Sequence, residues 1–162
     1  MRYWVSDALT AWRSDARPPE LPQLRCAAET VQNACESVQV VLKHEREFSL
    51  RSVAVTGLDA LAPEVRLQRY ETYADGSVWP DALVPFAPAD VPAQRAQSVW
   101  VTLHVAAQTP AGAYHGNITI ETGMETVSVP VQVTVYGIRL PDAGRATYSV
   151  EYWVSLVGFW WR

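Results

Sequence analysis

Residues Ser98–Pro141 read SVWVTLHVAAQTPAGAYHGNITIETGMETVSVPVQVTVYGIRLP, and this stretch decides the fold class. Val99, Val101, Leu103 and Val105 alternate with Trp100, Thr102, His104 and Ala106, the period of two that places one set on each face of a sheet. QTPAG, Gln108 to Gly112, breaks the alternation with turn-forming residues. NITIE resumes it from Asn117 to Glu121, and Gly123 marks a short hairpin turn. Val127, Val129, Val131, Val133 and Val135 then make one continuous apolar face, with Ser128, Gln132, Thr134 and Tyr136 pointing the other way. Five β-branched residues on one side of one strand mark a sheet that covers a core.

Working outward toward the N-terminus, the same punctuation recurs. Arg2 to Val5 suits a short strand, and Ser6 or Asp7 could cap a brief helix through Trp12. The proline-rich run Arg17 to Pro22 suits neither helix nor central strand and reads as a connector. Strands are expected over Leu24 to Val31, Ser37 to Lys43, Ser49 to Thr56 (with Leu50, Val53 and Val55 inward) and Glu64 to Tyr73. Between Ala74 and Gln97 four prolines (Pro80, Pro85, Pro88 and Pro92) suggest a long irregular loop. Strands separated by turns, without a helical period, predict an all-β protein: an antiparallel two-sheet sandwich of Ig-like or jelly-roll-like character, with roughly eight strands. A closed barrel is the alternative, and the proline-rich loop fits it less well.

Composition bounds the function. At 162 residues the chain suits one domain with a real core. The net charge of -4, and a single lysine, Lys43, argue against nucleic acid as a partner. No apolar run approaches the roughly 20 residues that span a bilayer, which argues against a membrane. No apolar segment follows Arg2, so a signal peptide is not read and a cytoplasmic location is expected; an extracellular one would follow if the N-terminus were incomplete. Cys26 and Cys35 read as two small buried residues kept as thiols; the alternative, a disulfide between neighbouring strands, would need an export route.

A search for catalytic constellations is negative. Glu29, Glu71, Asp81 and Glu121 lack a spacing that pairs them, and His44, His104 and His115 lack metal-ligand spacing. Neither a phosphate-binding loop, a nucleophile elbow nor a dinucleotide fingerprint is present. No catalytic residue, metal ligand or cofactor is therefore assigned.

Five short motifs, in order, carry a family resemblance. VQNACESVQVVL contains Asn33, Glu36, Ser37 and Gln39 as N-x-x-E-S-x-Q before an apolar strand, with Gln32 and Ala34 where the pattern has arginine and glutamate. VWPDALVPF carries Trp79, Pro80, Asp81, Leu83 and Pro85. VWVTLHV follows, then TPAGAYHG with Pro110, Ala111, Gly112, Tyr114 and Gly116, and last YGIRLP. Together they resemble the N-terminal β-sandwich domain of glycoside hydrolase family 123 and its relatives, where it precedes a catalytic (β/α)₈ barrel. The resemblance implies substrate-assisted hydrolysis by an adjacent Asp-Glu pair in that barrel. No Asp-Glu dipeptide occurs in this chain.

The expectation is thus a non-catalytic accessory sandwich that packs on and orients a barrel. The alternative is a free-standing carbohydrate-binding module, with Trp79, Asp81 and Trp100 as candidate contacts to a sugar or a neighbouring domain. Asn33, Glu36, Ser37, Gln39, Pro110, Gly112, Tyr114 and Gly116 are expected to be structural. The expected division is an extension and connector over 1–23, the sandwich over 24–141, and over 142–162 a linker with the truncated start of the barrel. In that last stretch Tyr148, Val150, Tyr152, Val154 and Leu156 alternate as one side of a strand, expected to pack poorly or to fold back and promote association.

Overall fold

The computed structural model describes residues 1–142; the expectations placed on residues 146–162 lie outside them. Ten strands form among the described residues: β1 (Arg2–Asp7), β2 (Cys26–Gln32), β3 (Ala34–Lys43), β4 (Phe48–Thr56), β5 (Glu64–Thr72), β6 (Val78–Pro85), β7 (Ala89–Val91), β8 (Ala96–Val105), β9 (Gly112–Thr122) and β10 (Thr126–Arg139). They make two five-stranded sheets, ordered β1-β3-β8-β5-β6 and β2-β10-β9-β4-β7. The protein is an all-β two-sheet sandwich. Every pairing is antiparallel except β2 with β10, which is parallel.

The alternation in the sequence is the alternation in the core. Val127, Val129, Val131, Val133 and Val135 of β10 are all buried, and face Val99, Val101, Leu103 and Val105 of β8 together with Val38, Val40 and Leu42 of β3. Pro130 interrupts β10 without harm because pairing with β2 begins only at Val131, so the missing donor falls where β10 has one neighbour. The turn after β9 closes through Thr122, whose backbone N–H and hydroxyl both donate to the Glu125 carbonyl.

Two local expectations are corrected. The stretch Ala74 to Gln97 is not one irregular loop: it contains β6, which pairs with β5 across a register shift between Gln68 and Tyr70, and β7, which pairs with β4. Its prolines sit at the outer edges of both sheets, where a missing N–H costs little. Asp7 does cap, but it closes a turn rather than a helix, its carboxylate accepting from the Leu9 and Thr10 amides. The short strand expected over Arg2 to Val5 forms and runs on to Asp7 as an edge strand: β1 pairs with β3 from Arg2↔Lys43 to Asp7↔Val38.

The N-terminal segment also builds a second, smaller core on the outer face of the first sheet. Trp4, Val41 and Ala96 are buried there, covered by Trp12 and Ala16. Trp4 and Trp12 meet edge to face, ring centres 5.1 Å apart. Gln39 pins this covering loop. Its side chain is 1% exposed, donates to the carbonyls of Asp7 and Thr10 at 2.7 and 2.9 Å, and accepts from Ser98 Oγ at 2.8 Å. The buried Gln39 amide is thereby satisfied on both its nitrogen and its oxygen, whereas the indole N–H groups of Trp4 and Trp12 are buried without a partner.

Candidate functional site

β2 and β3 are consecutive in sequence but lie in different sheets, so the chain must cross between layers within one residue. Asn33 does this in the left-handed region, with φ +60°, a conformation asparagine tolerates better than most residues. Its amide then reaches the departing end of the domain, donating to the Leu140 carbonyl at 3.0 Å and lying 3.4 Å from the Pro141 carbonyl and 3.3 Å from Asp142 Oδ1. The Leu140 N–H donates to the Gln32 carbonyl at 3.0 Å, and Arg139 pairs with Asp142 at 3.4 Å. Gln32 Nε2 ties the same corner to the next turn through the Thr109 carbonyl at 2.6 Å. The strand that leaves the sandwich is held on two sides up to Asp142.

The hairpin motif residues collect at this same end. Tyr114 donates its hydroxyl to the Pro110 carbonyl at 2.7 Å, bracing the turn that opens β9 at Gly112. Gly116 explains itself sterically: a Cβ there would lie 2.3 Å from the Thr56 carbonyl oxygen and 2.6 Å from Leu58 Cγ. Only glycine admits the loop after β4, whose Leu58 and Leu61 plug the core with no exposure. Exposed apolar side chains flank the exit: Tyr136 (45%), Ile138 (63%) and Leu140 (44%).

The other singled-out residues are dispersed. Glu36 lines a cleft of about 260 Å³ between β1 and β2 with Cys26, Ala28 and Val38. Ser37 is bonded to Thr102, oxygen to oxygen, at 2.9 Å. Trp79 stands opposite Glu71 on β5 and Trp100 opposite Arg66 on the same strand. Five residues of β5 separate the two, about 16 Å, and the register shift between Gln68 and Tyr70 lies between them. The structure therefore does not join Trp79 and Trp100 into one platform. Trp79 is engaged by its own chain: the Arg13 guanidinium lies 4.6 Å from its ring centre, and its indole N–H donates to Ser77. Trp100 is half-buried, and Asp81 lies exposed at the register shift of β6.

Both cysteines are free thiols. Cys26 is buried, and desolvation followed by the Glu36 charge pushes its thiol up to about 11. Cys35 is exposed and hydrogen-bonded to His104. Sequence reading missed this pairing, because the two residues lie 69 positions apart and only the register of β3 on β8 makes them partners. Among the described residues no group of three or more histidine, cysteine or carboxylate side chains could hold a metal ion, and no helix is long and apolar enough to cross a membrane.

The model of the glycoside hydrolase 123 N-terminal domain matches residues 24–122. This chain belongs to that family. Among solved structures, the N-terminal domain family member resembles a family 123 glycoside hydrolase from Clostridium perfringens, described for glycolipid glycan hydrolysis, with a TM-score of 0.68 at 8% identity. The match covers 86% of this chain but 28% of that one, so the glycoside hydrolase 123 N-terminal domain seen here spans about a quarter of that hydrolase. At this identity the likeness shows the fold alone. The CooA pilin subunit of enterotoxigenic Escherichia coli (TM-score 0.38, 8% identity, 84% of this chain and 98% of that one) and the C-terminal domain of BspA from Streptococcus agalactiae (0.39, 12%, 82% and 49%) are more distant and carry no argument. No curated protein matches the chain.

Proposed function

We propose that this domain is a non-catalytic accessory module that packs on a catalytic barrel and fixes the direction in which the chain enters it. Family membership places it with a glycoside hydrolase. The observation that carries the orienting role is the exit bracket, in which Asn33 and Gln32 hold the backbone of Leu140 from two sides. A flexible tether would need no such bracket; a domain that sets an angle does. Tyr136, Ile138 and Leu140 supply apolar surface beside the exit for a neighbour to cover. The domain is taken as the sandwich up to Pro141, with β1 as part of it.

Among the described residues, what weighs against the carbohydrate-binding alternative is that Trp79 is paired with Arg13 and Trp100 stands apart from it. The test is direct. Titration with N-acetylhexosamine oligosaccharides is expected to leave the tryptophan fluorescence unchanged, and aryl N-acetylhexosaminides are expected to survive incubation with the purified chain. Saturable quenching abolished by Trp79→Ala would favour the binding module; turnover abolished by changing one carboxylate would make the chain an enzyme.

A further inference from the structure

The outer face of the first sheet carries a connected chain of reactive side chains. Cys35 on β3 and His104 on β8 are direct cross-strand partners, with Sγ 3.2 Å from Nδ1. His104 Nε2 lies 3.3 Å from Glu64 Oε2 on β5. Arg66 donates Nε and Nη2 to Glu64 Oε1 at 3.0 and 2.8 Å. These bonds, Arg66 first and His104 second, hold the Glu64 carboxyl below the usual carboxylate range. An ionised Glu64 can only accept, so Nε2 of the neutral imidazole carries the proton and Nδ1 presents its lone pair to the thiol. Nucleophile, base and orienting carboxylate then stand in hydrogen-bond sequence. From β5 the charged groups facing this chain are Glu64 and Arg66; from β3 and β8 the same face presents Ser37 and Thr102.

We propose that Cys35 is a surface nucleophile that undergoes thiol–disulfide exchange with low-molecular-weight disulfides, with His104 as base and Glu64 as positioning residue. The surroundings select the reaction. Disulfide exchange develops no oxyanion and needs only access to the sulfur, and Cys35 is exposed. The Cys35 thiol gives its proton to His104 Nδ1 as the sulfur attacks one sulfur of R–S–S–R. A new S–S bond forms and the old one breaks. The departing thiolate takes the proton from the imidazolium, leaving a mixed disulfide on Cys35 and one free R–SH. The attacking sulfur is oxidised and the departing one reduced, so the electrons balance without another reagent.

The experiment incubates the native chain with oxidised glutathione and counts adducts by intact mass. One adduct is expected, mapped to Cys35 and absent from Cys35→Ser, with buried Cys26 as the unreactive internal control. At about pH 6.5 His104→Asn is expected to react at least roughly threefold more slowly than the unmodified chain, the difference closing near pH 9 where a free thiol ionises unaided. Glu64→Gln should shift the same profile by a smaller amount. Both substitutions are on an exposed face, and an unchanged thermal transition verifies the fold. Equal rates for the native chain, His104→Asn and Glu64→Gln at both pH values, or first reaction at Cys26, would overturn the proposal.

Discussion

Val131→Asp is the perturbation that most severely loads the core. Val131 is 3% exposed on β10, opposite Cys26 of β2 and Gly116 of β9, and its side chain belongs to the apolar cluster between the sheets. Removing the valine forfeits roughly 1.5–3 kcal/mol of apolar burial. The carboxyl that replaces it would be desolvated and unpaired, which raises a carboxyl pKa by some 3–4 units; at about 1.4 kcal/mol per unit this adds roughly 4–5 kcal/mol near pH 7. The sum is of the order of 6–8 kcal/mol, comparable to the whole stability of a domain, about 5–15 kcal/mol. The sign of the pH dependence follows. A folded-state carboxyl pKa above the unfolded value means the ionisation penalty is absent below about pH 4 and grows as pH rises. Urea unfolding followed by circular dichroism should therefore show the variant unfolded or nearly so near pH 7, and closer to the parent near pH 3.5. Val131→Thr, which keeps the shape without a charge, should stay folded. A soluble Val131→Asp protein with a cooperative transition close to the parent at neutral pH would refute the burial assigned to β10.

Three further outcomes are expected. Gln39→Ala strips the Asp7 and Thr10 carbonyls and Ser98 of their partner; a loss of about 2–4 kcal/mol in urea denaturation, with red-shifted tryptophan emission as the loop over Trp4 loosens, is the expected result. Gly116→Ala forces a Cβ against the Thr56 carbonyl and Leu58, and should cost about 1–3 kcal/mol by thermal unfolding. Burial holds the Cys26 thiol at about 11 against the ordinary 9.0, so the folded state retains a proton the unfolded chain releases; stability should fall by roughly 1.4 kcal/mol per pH unit between about pH 9 and 11, and Cys26→Ala should flatten that slope in denaturation curves.

The sandwich was legible because its core obeys a period of two over long runs: β8 and β10 can be read off their valines. β6 and β7 were not, because edge strands tolerate proline and owe little to the core, so Pro80 and Pro85 looked like loop residues. β1 was legible as a short strand over Arg2 to Val5, but its place in the sandwich was not, for a related reason. Its inward side carries Val5 and a partly buried Tyr3, while Trp4 points to the opposite face and is buried with Val41 and Ala96 under Trp12 and Ala16, a contact no periodicity announces. At the candidate site Asn33 stood out as a motif residue, yet its function depends on Leu140, 107 positions away. The Cys35–His104–Glu64 chain was illegible for the same reason: each member lies on a different strand, and register across three strands is a tertiary fact. The partner of Trp79, Arg13, comes from the N-terminal loop, so that contact too is not written in the segment around Trp79.

The central claim is that the chain leaves this sandwich in a fixed direction. Backbone ¹⁵N relaxation at Arg139, Leu140 and Asp142 measures it most directly. The account predicts order parameters near those of the sheet, about 0.85, falling in Asn33→Gly, which keeps the turn but removes the amide that holds Leu140 and Pro141. Values below about 0.6 at these residues in the unmodified chain, or no change on substituting Asn33, would contradict it.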